Sequence, residues 1–243
     1  MADLSKIKAL TFDVGGTVFD WRGTIESELS RLASEQNADL DVSGFATDWR
    51  RGMFQELARV RAGELPWMNA DQLHRSVLDD VLAKHPAIEL SDSGRDDLNN
   101  VWHRLNAWPD AAAVIEKLRS RYTVVVLTVL SWSIAVDCSR HNGISWDGIL
   151  SCEFLGHYKP DAEAYQKGAD LLRLEPDQAM MVAAHAGDLQ AAMKAGLHSA
   201  YVHRDGESFG IFGELDSAPE WDVNARDFAE LERLLLTQVS TTA

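Results

Sequence analysis

Two cysteines, Cys138 and Cys152, are all that the 243 residues contain. Neither lies in a CxxC or metal-ligand spacing, so reduced, buried thiols are expected rather than a disulfide, a structural metal site or a cysteine nucleophile. Basic residues are also scarce: 23 Lys and Arg stand against 38 Asp and Glu, a formal net charge of −15. A chain with no basic footprint is not expected to bind nucleic acid non-specifically or to adhere to an anionic membrane surface. A small anionic substrate stays open, because cations gathered in a cleft outweigh the field of the whole molecule. No apolar run reaches the length of a membrane span. The opening MADLSKIKAL carries no long apolar stretch and no small-residue cleavage site, so a cytoplasmic location is expected. There are no internal repeats and no low-complexity tracts.

The composition that is present, 46% hydrophobic and 25% charged, allows a sizeable core, and the length suits one large domain or a core with an insertion. Short apolar runs read as buried strands at Ile7–Phe12, Tyr122–Leu127, Gly148–Leu150, Met180–Ala184 and Ser199–Val202. The second, β-branched and continuous, fits a parallel strand covered on both faces. Helical patterns fall between them, at Asp110–Arg121, Ser131–His141, Asp161–Leu172 and Leu189–Ala195, with a last one at Ala225–Leu236. This alternation predicts an α/β fold with a doubly wound parallel sheet, whose active site lies at the carboxyl ends of the strands. From Trp21 to Asn106 the alternation stops. Four helical patterns follow one another (Thr24–Gln36, Val42–Arg61, Ala70–Lys84, Asp92–His103) with no convincing strand. We therefore expect a core from residues 1–20 and 105–243 and an all-helical cap from 21–104, placed as a lid over the first strand. Arg204–Asn224, with Gly206, Gly210, Gly213 and Pro219, reads as a polar surface excursion.

Four side chains line up after predicted strands. Asp13 ends the first and Thr128 the second; Lys159 follows the third, in HYKPDAEAY, and Asp188 the fourth, in AAHAGDLQAA. Lys159 would neutralise the acids and keep Asp13 ionised, and an ionised carboxylate in such a pocket is a competent nucleophile. His185 fits two readings, a water-positioning base near neutral pH or a hydrogen-bonded structural residue. Asp188 also reads as a helix N-cap. Trp49 and Trp146 read as packing residues, and Asp20, Trp21 and Arg22 as hinge and packing residues.

In their order, DVGGT, Thr128, YKPD and GDLQAA resemble the motifs of the haloacid dehalogenase superfamily. FDVGGTVFDWRGTI, FATDWRRGMF, ISWDGIL, HYKPDAEAY, MMVAAHAGDLQAAMKAGL and AYVHR narrow the resemblance to its metal-independent 2-haloacid dehalogenases. The resemblance implies a Rossmann-like core with a helical cap, and hydrolysis of a small 2-haloalkanoic acid through an aspartyl ester. Asp13 would be the nucleophile and Arg50 the cation that meets the departing halide. Thr128 and the backbone at Val14 and Gly15 would hold the substrate carboxylate beside Val129. Lys159 would balance charge, while Asp188, helped by His185, would position water. The partners implied are the haloacid and water, without cofactor or metal, and a homodimer is compatible with the resemblance. The superfamily's phosphatases use Mg²⁺ and an acid two residues after the nucleophile; here Gly15 holds that place, and Ala184 stands where a second metal-binding acid would be. The dehalogenases usually carry an aromatic residue at the Gly15 position. That departure, with Val129, leaves open a related hydrolase acting on a carbon–fluorine bond or strained ring, or a binding protein on the same fold.

Overall fold

The computed structural model describes residues 4–205, 207 and 221–237. In chain order its elements are β1 (Ala9–Phe12), β2 (Phe19–Asp20), α1 (Trp21–Gln36), α2 (Val42–Arg61), α3 (Ala70–Lys84), α4 (Asp92–Asn99), β3 (Asn106–Ala107), α5 (Ala111–Leu118) and β4 (Thr123–Thr128). Then come α6 (Trp132–His141), β5 (Gly148–Ser151), α7 (Cys152–Leu155), α8 (Ala162–Leu171), β6 (Ala179–Ala183), α9 (Ala186–Lys194), β7 (His198–Val202), β8 (Val223–Ala225) and α10 (Phe228–Thr237).

A six-stranded sheet runs in the order β5-β4-β1-β6-β7-β8, with every pairing parallel. β1 lies between β4 and β6, with Phe12 opposite Val126 on one side and Val182 on the other. From β1 the chain builds through β4 to β5 on one side, then crosses back to β6, β7 and β8 on the other, and this switch opens a crevice at the strands' carboxyl ends. Every residue of β1 and β6 is buried, as a parallel sheet covered on both faces requires. Phe12 packs against Trp146 at 5.6 Å and Phe228 at 5.8 Å between ring centroids. Fully burying such a side chain contributes roughly 1.5–3 kcal/mol.

The chain enters the helical cap through β2 and returns through β3, and the two pair antiparallel, Phe19 with Ala107 and Asp20 with Asn106. Asp20 accepts from Gly23 N at 2.8 Å, and this cap starts α1 at Trp21, three residues before the apolar pattern suggested. The last cap helix is shorter than expected: α4 ends at Asn99 and tightens into a 3₁₀ turn over Asn100–Arg104, which buries Trp102. An aromatic group fills the cap where it meets the core. Trp102 lies 6.2 Å from Trp21, 5.4 Å from Trp49 and 3.8 Å from His74. Trp49 and Trp146 are packing residues, donating to His74 O and Ser139 Oγ. Both cysteines are free and buried.

The expected surface excursion needs correction. Gly206, Gly210, Gly213 and Pro219 lie outside the described residues, but Arg204, Glu207, Trp221 and Val223 are all buried. Val223–Ala225 adds the edge strand β8 beside β7. Three residues in a polar stretch are too few to show a strand's alternation. Among the described residues, no helix is long and apolar enough to cross a membrane.

Candidate active site

Asp13 is the first residue beyond β1, and its amide still donates to Val182 O at 3.0 Å, so the sheet fixes its backbone. The following turn brings Thr17 back over it. The Thr17 hydroxyl donates to Asp13 Oδ2 at 2.8 Å and accepts from Ala184 N at 2.9 Å, tying the turn to the end of β6. Gly16 permits this turn with a φ of +97°, a conformation costly for any residue with a Cβ.

Lys159 follows β5 and α7, and its ammonium stands between two carboxylates, 3.0 Å from Asp13 Oδ1 and 2.7 Å from Asp188 Oδ2. The Tyr165 hydroxyl, on α8, donates to Asp188 Oδ1 at 2.5 Å. His185 turns Nδ1 to Asp13 Oδ2 at 3.1 Å and Nε2 to Glu207 Oε2 at 3.3 Å. Asp188 does not cap α9. His185 occupies the N-cap position and Asp188 sits in the first turn, where the helix dipole favours a negative charge.

These contacts set the charges. Burial alone would raise the affinity of Asp13 for a proton, but Lys159, His185 and Thr17 outweigh it and hold the carboxyl well below the usual range. Asp188 moves the other way, raised by burial, against Lys159, and by the Asp13 charge, which makes it the better proton acceptor of the two. Burial opposes the charge on Lys159, yet the flanking Asp13 and Asp188 keep its proton tightly bound. Burial likewise opposes the His185 charge, but its bonds to Asp13 and Glu207 push it up to about 10. A ring of that affinity is already protonated at neutral pH, which favours the hydrogen-bonded reading of His185 over the water-positioning base.

Arg50 enters from the cap on α2 and is 5% exposed. Its guanidinium lies over Phe54 at 4.5 Å, Trp21 at 5.2 Å and Trp102 at 5.8 Å, and its Nη1 is buried without a hydrogen-bond partner among the described residues. Arg51, next in sequence, is exposed and pairs with Asp48. Gly15 explains how Arg50 comes so close. A Cβ built there would lie 3.3 Å from Arg50 Nη2 and 3.7 Å from a Leu130 methyl. The guanidinium and Leu130 thus fill the room beside the glycine.

The side chains line a cavity of about 130 Å³. Of the residues singled out in the sequence, Asp13, Gly15, Arg50, Val129, Lys159, His185 and Asp188 line it. Thr128 and Val14 do not: both are fully buried, and the Thr128 hydroxyl accepts from Leu130 N at 3.1 Å. That contact ties Thr128 into the loop after β4. The sequence reading missed Phe54, Tyr165, Gly187 and Pro160, which complete the wall, and Thr17 and Glu207 behind it. Phe54 had a signal, four residues beyond Arg50 on one helix face. Tyr165 had a weaker one, as the only hydroxyl-bearing residue on the apolar face of α8. Glu207 had none.

The Lys159 ammonium bridges the two aspartates, and no group of three or more His, Cys, Asp or Glu among the described residues is placed to hold a metal. Gly15 and Ala184, at the two places where the phosphatases carry further acids, add no carboxylate to Asp13 and Asp188.

The profile of haloacid dehalogenase-like hydrolases matches residues 7–196. (S)-2-haloacid dehalogenase 4A of Burkholderia cepacia is 32% identical over 154 residues, 61% of this chain and 64% of that protein. The match therefore spans just under two thirds of that relative. The L-2-haloacid dehalogenase PA0810 superposes with a TM-score of 0.86 at 32% identity, covering 94% of this chain and 98% of the other. The defluorinating L-2-haloacid dehalogenase Rha0230 gives 0.86 at 31% identity, covering 94% and 95%. With a family profile over most of its length and two such structures aligned along nearly all of it, the chain belongs to the haloacid dehalogenase-like hydrolases, in their L-2-haloacid dehalogenase branch.

Proposed function

We propose that the protein hydrolyses the carbon–halogen bond of a small 2-haloalkanoic acid to the 2-hydroxy acid, through an ester on Asp13. The observation that carries this reading is a buried, ionised Asp13 sharing a small cavity with a buried guanidinium whose Nη1 has no partner among the described residues. A leaving halide needs a cation where its charge grows and needs no proton, so an acid at Gly15 has no task. At about 130 Å³ the cavity is near the size that admits benzene, roughly 150 Å³, which suits an acid of two or three carbons.

Asp13 Oδ1 bears one donor and Oδ2 bears two, so Oδ1 is the better nucleophile. It attacks C2 from the side opposite the halogen, and the halide leaves toward Arg50 with inversion at C2. Oδ2 becomes the carbonyl oxygen of the ester. Water, oriented by Asp188, then attacks the ester carbonyl carbon. A single turnover in H₂¹⁸O tests this: label is expected in Asp13 and not in the first product, and label entering product directly would overturn the ester.

One observation favours a second reading, cleavage of a carbon–fluorine bond. Gly15 lets the Arg50 guanidinium press into the cavity, and fluoride, small and hard, gains most from short charge-assisted hydrogen bonds. Fluoroacetate assayed beside chloro- and bromoacetate separates the two. Fluoride release within about tenfold of chloride release, by the transition-state arithmetic, would establish the second reading.

A further inference from the structure

We propose that Glu207 is a positioning residue that holds His185 as a doubly protonated ring, so that the Thr17 hydroxyl and His185 Nδ1 together form the oxyanion site for hydrolysis of the Asp13 ester. The inference rests on the ester reading above and adds a residue to it that the motifs do not contain.

The geometry of the ring carries it. His185 Nδ1 faces Asp13 Oδ2 at 3.1 Å and Nε2 faces Glu207 Oε2 at 3.3 Å. Ionised carboxylates only accept hydrogen bonds, and a neutral imidazole offers one N–H and one lone pair. Either neutral tautomer would therefore set a lone pair against a carboxylate oxygen. Only the imidazolium satisfies both contacts.

The place of Glu207 is prepared from several sides. Its carboxylate is buried and Oε2 also accepts from Trp21 Nε1 at 3.1 Å. Its amide donates to Arg204 O, and Arg204 is itself fixed by Asp110, at 2.9 Å to both oxygens, and by Thr17 O at 2.9 Å. A Cβ at Gly16 would lie 2.2 Å from Glu207 Oε2 and 3.1 Å from His185 Cε1. The glycine after Gly15 thus serves the carboxylate–imidazole pair as well as the turn.

The charged groups facing this pair come from every neighbouring element. Asp13 lies on the β1 loop and Asp188 on α9, with Lys159 between them. Arg50 from α2 is drawn to Glu207 and Asp13. Asp20, at the start of α1, is raised by its own burial and by Glu207 among its neighbours, and Arg204 lies beyond. The two carboxylates in contact with the ring dominate, and His185 keeps its proton until the pH rises toward about 10.

In the hydrolytic step the water oxygen bonds to Asp13 Cγ and the carbonyl electron pair moves onto Oδ2, where Thr17 and His185 meet it with two donors. The water proton goes to Asp188. Collapse re-forms the carbonyl and breaks the bond from Cγ to the substrate-bearing oxygen, which takes that proton and leaves as the 2-hydroxy acid. The regenerated Asp13 acid then loses its remaining proton to solvent. His185 transfers no proton in the step.

The experiment joins a direct reading of the ring to a kinetic cycle. In the full-length wild type, ¹⁵N NMR of the histidine rings, with His185→Asn to identify the signal, is expected to show an imidazolium at pH 8. In Glu207→Gln, bromoacetate is expected to give a first-turnover burst of bromide followed by ester hydrolysis slowed roughly ten- to a hundredfold, less than the loss of a donor itself. Mass spectrometry would find the ester on Asp13, and the basic limb of the pH profile would move down toward the ordinary histidine range. Adding Glu207→Gln to His185→Asn is expected to slow turnover less than about twofold, as residues acting through one another are not additive. A neutral ring in the wild type, or a Glu207→Gln effect undiminished beside His185→Asn, would overturn the proposal. A wild type inactive on every haloacid would instead overturn the function proposed above, and the NMR measurement would still decide the state of His185.

Discussion

Arg50→Met should disable the enzyme while making it more stable. Burial lowers the Arg50 guanidinium to about 10, against the attraction of Glu207 and Asp13, where an ordinary guanidinium lies above 12. At about 1.4 kcal/mol per tenfold step, keeping this group charged at neutral pH costs roughly 3 kcal/mol. The sign follows from linkage. A base whose folded value is depressed weighs on the fold fully at neutral pH, and the cost lifts only as pH rises through about 10. Methionine fills similar space, and its sulfur replaces part of the contact with the surrounding rings; the attraction of Glu207 and Asp13 is already counted in that lowering, so a gain of about 1–3 kcal/mol is left. For a chain of this size that raises Tm by roughly 3–10 °C. Activity moves the other way: loss of a donor aimed at growing negative charge costs about a hundred- to a thousandfold in kcat. Halide release and thermal unfolding, each with and without added bromide, would test both signs at once. Bromide should raise the Tm of the wild type and leave that of Arg50→Met unmoved. A variant that melts several degrees lower, or one that keeps a tenth of its activity, would refute the reasoning and make Arg50 a packing residue.

Activity should survive EDTA and gain nothing from Mg²⁺, because Lys159 already neutralises Asp13 and Asp188 at 3.0 and 2.7 Å; loss with the chelator and rescue by Mg²⁺ would count against this. His103 bridges the cap and core, 2.6 Å from Asp71 on α3 and 2.8 Å from Asp137 on α6, and its bond to Asp71, then to Asp137, raises its proton affinity against burial. A raised histidine stabilises most below its unfolded value, near 6.5, and that contribution is lost as pH climbs through the folded one. The Tm difference between wild type and His103→Asn should therefore be largest near pH 6 and shrink on the alkaline side; a difference constant with pH would show that the bridge does not depend on charge.

Much of this was legible in the chain because backbone periodicity and catalytic spacing are local properties. The β-branched run before Thr128 announced its strand, and Asp13 directly after one apolar run, with Lys159 and Asp188 a short way beyond two others, are brought to one edge by a parallel sheet. Thr128 also ends a strand, yet it is not among the residues lining the cavity, and its hydroxyl accepts from Leu130 N within its own loop. Two kinds of feature stayed hidden. Helix starts depend on single cap contacts such as Asp20 to Gly23, which apolar patterns do not register. Glu207 reaches the site from 22 residues beyond His185, in a stretch whose glycines and charges read as solvent-facing. Its burial depends on Trp21, Gly16 and Arg204, none of them near it in sequence except the last.

The arrangement of buried ions has a consequence for the order in which things leave. Asp13, Asp188 and Glu207 face Lys159, His185 and Arg50, and with all six ionised their charges cancel. A haloacid carries its carboxylate in and leaves the pocket one charge negative. Forming the proposed ester does not change that total; it only moves charge from Asp13 to the halide. Departure of the halide restores neutrality with the organic fragment still attached, so in a low-dielectric space the ester without halide is the state of least electrostatic cost. Water then regenerates the Asp13 charge beside the product carboxylate, and the excess returns. On the proposed ester mechanism the pocket is thus balanced for the covalent intermediate, and the same repulsion would expel first the halide and then the hydroxy acid.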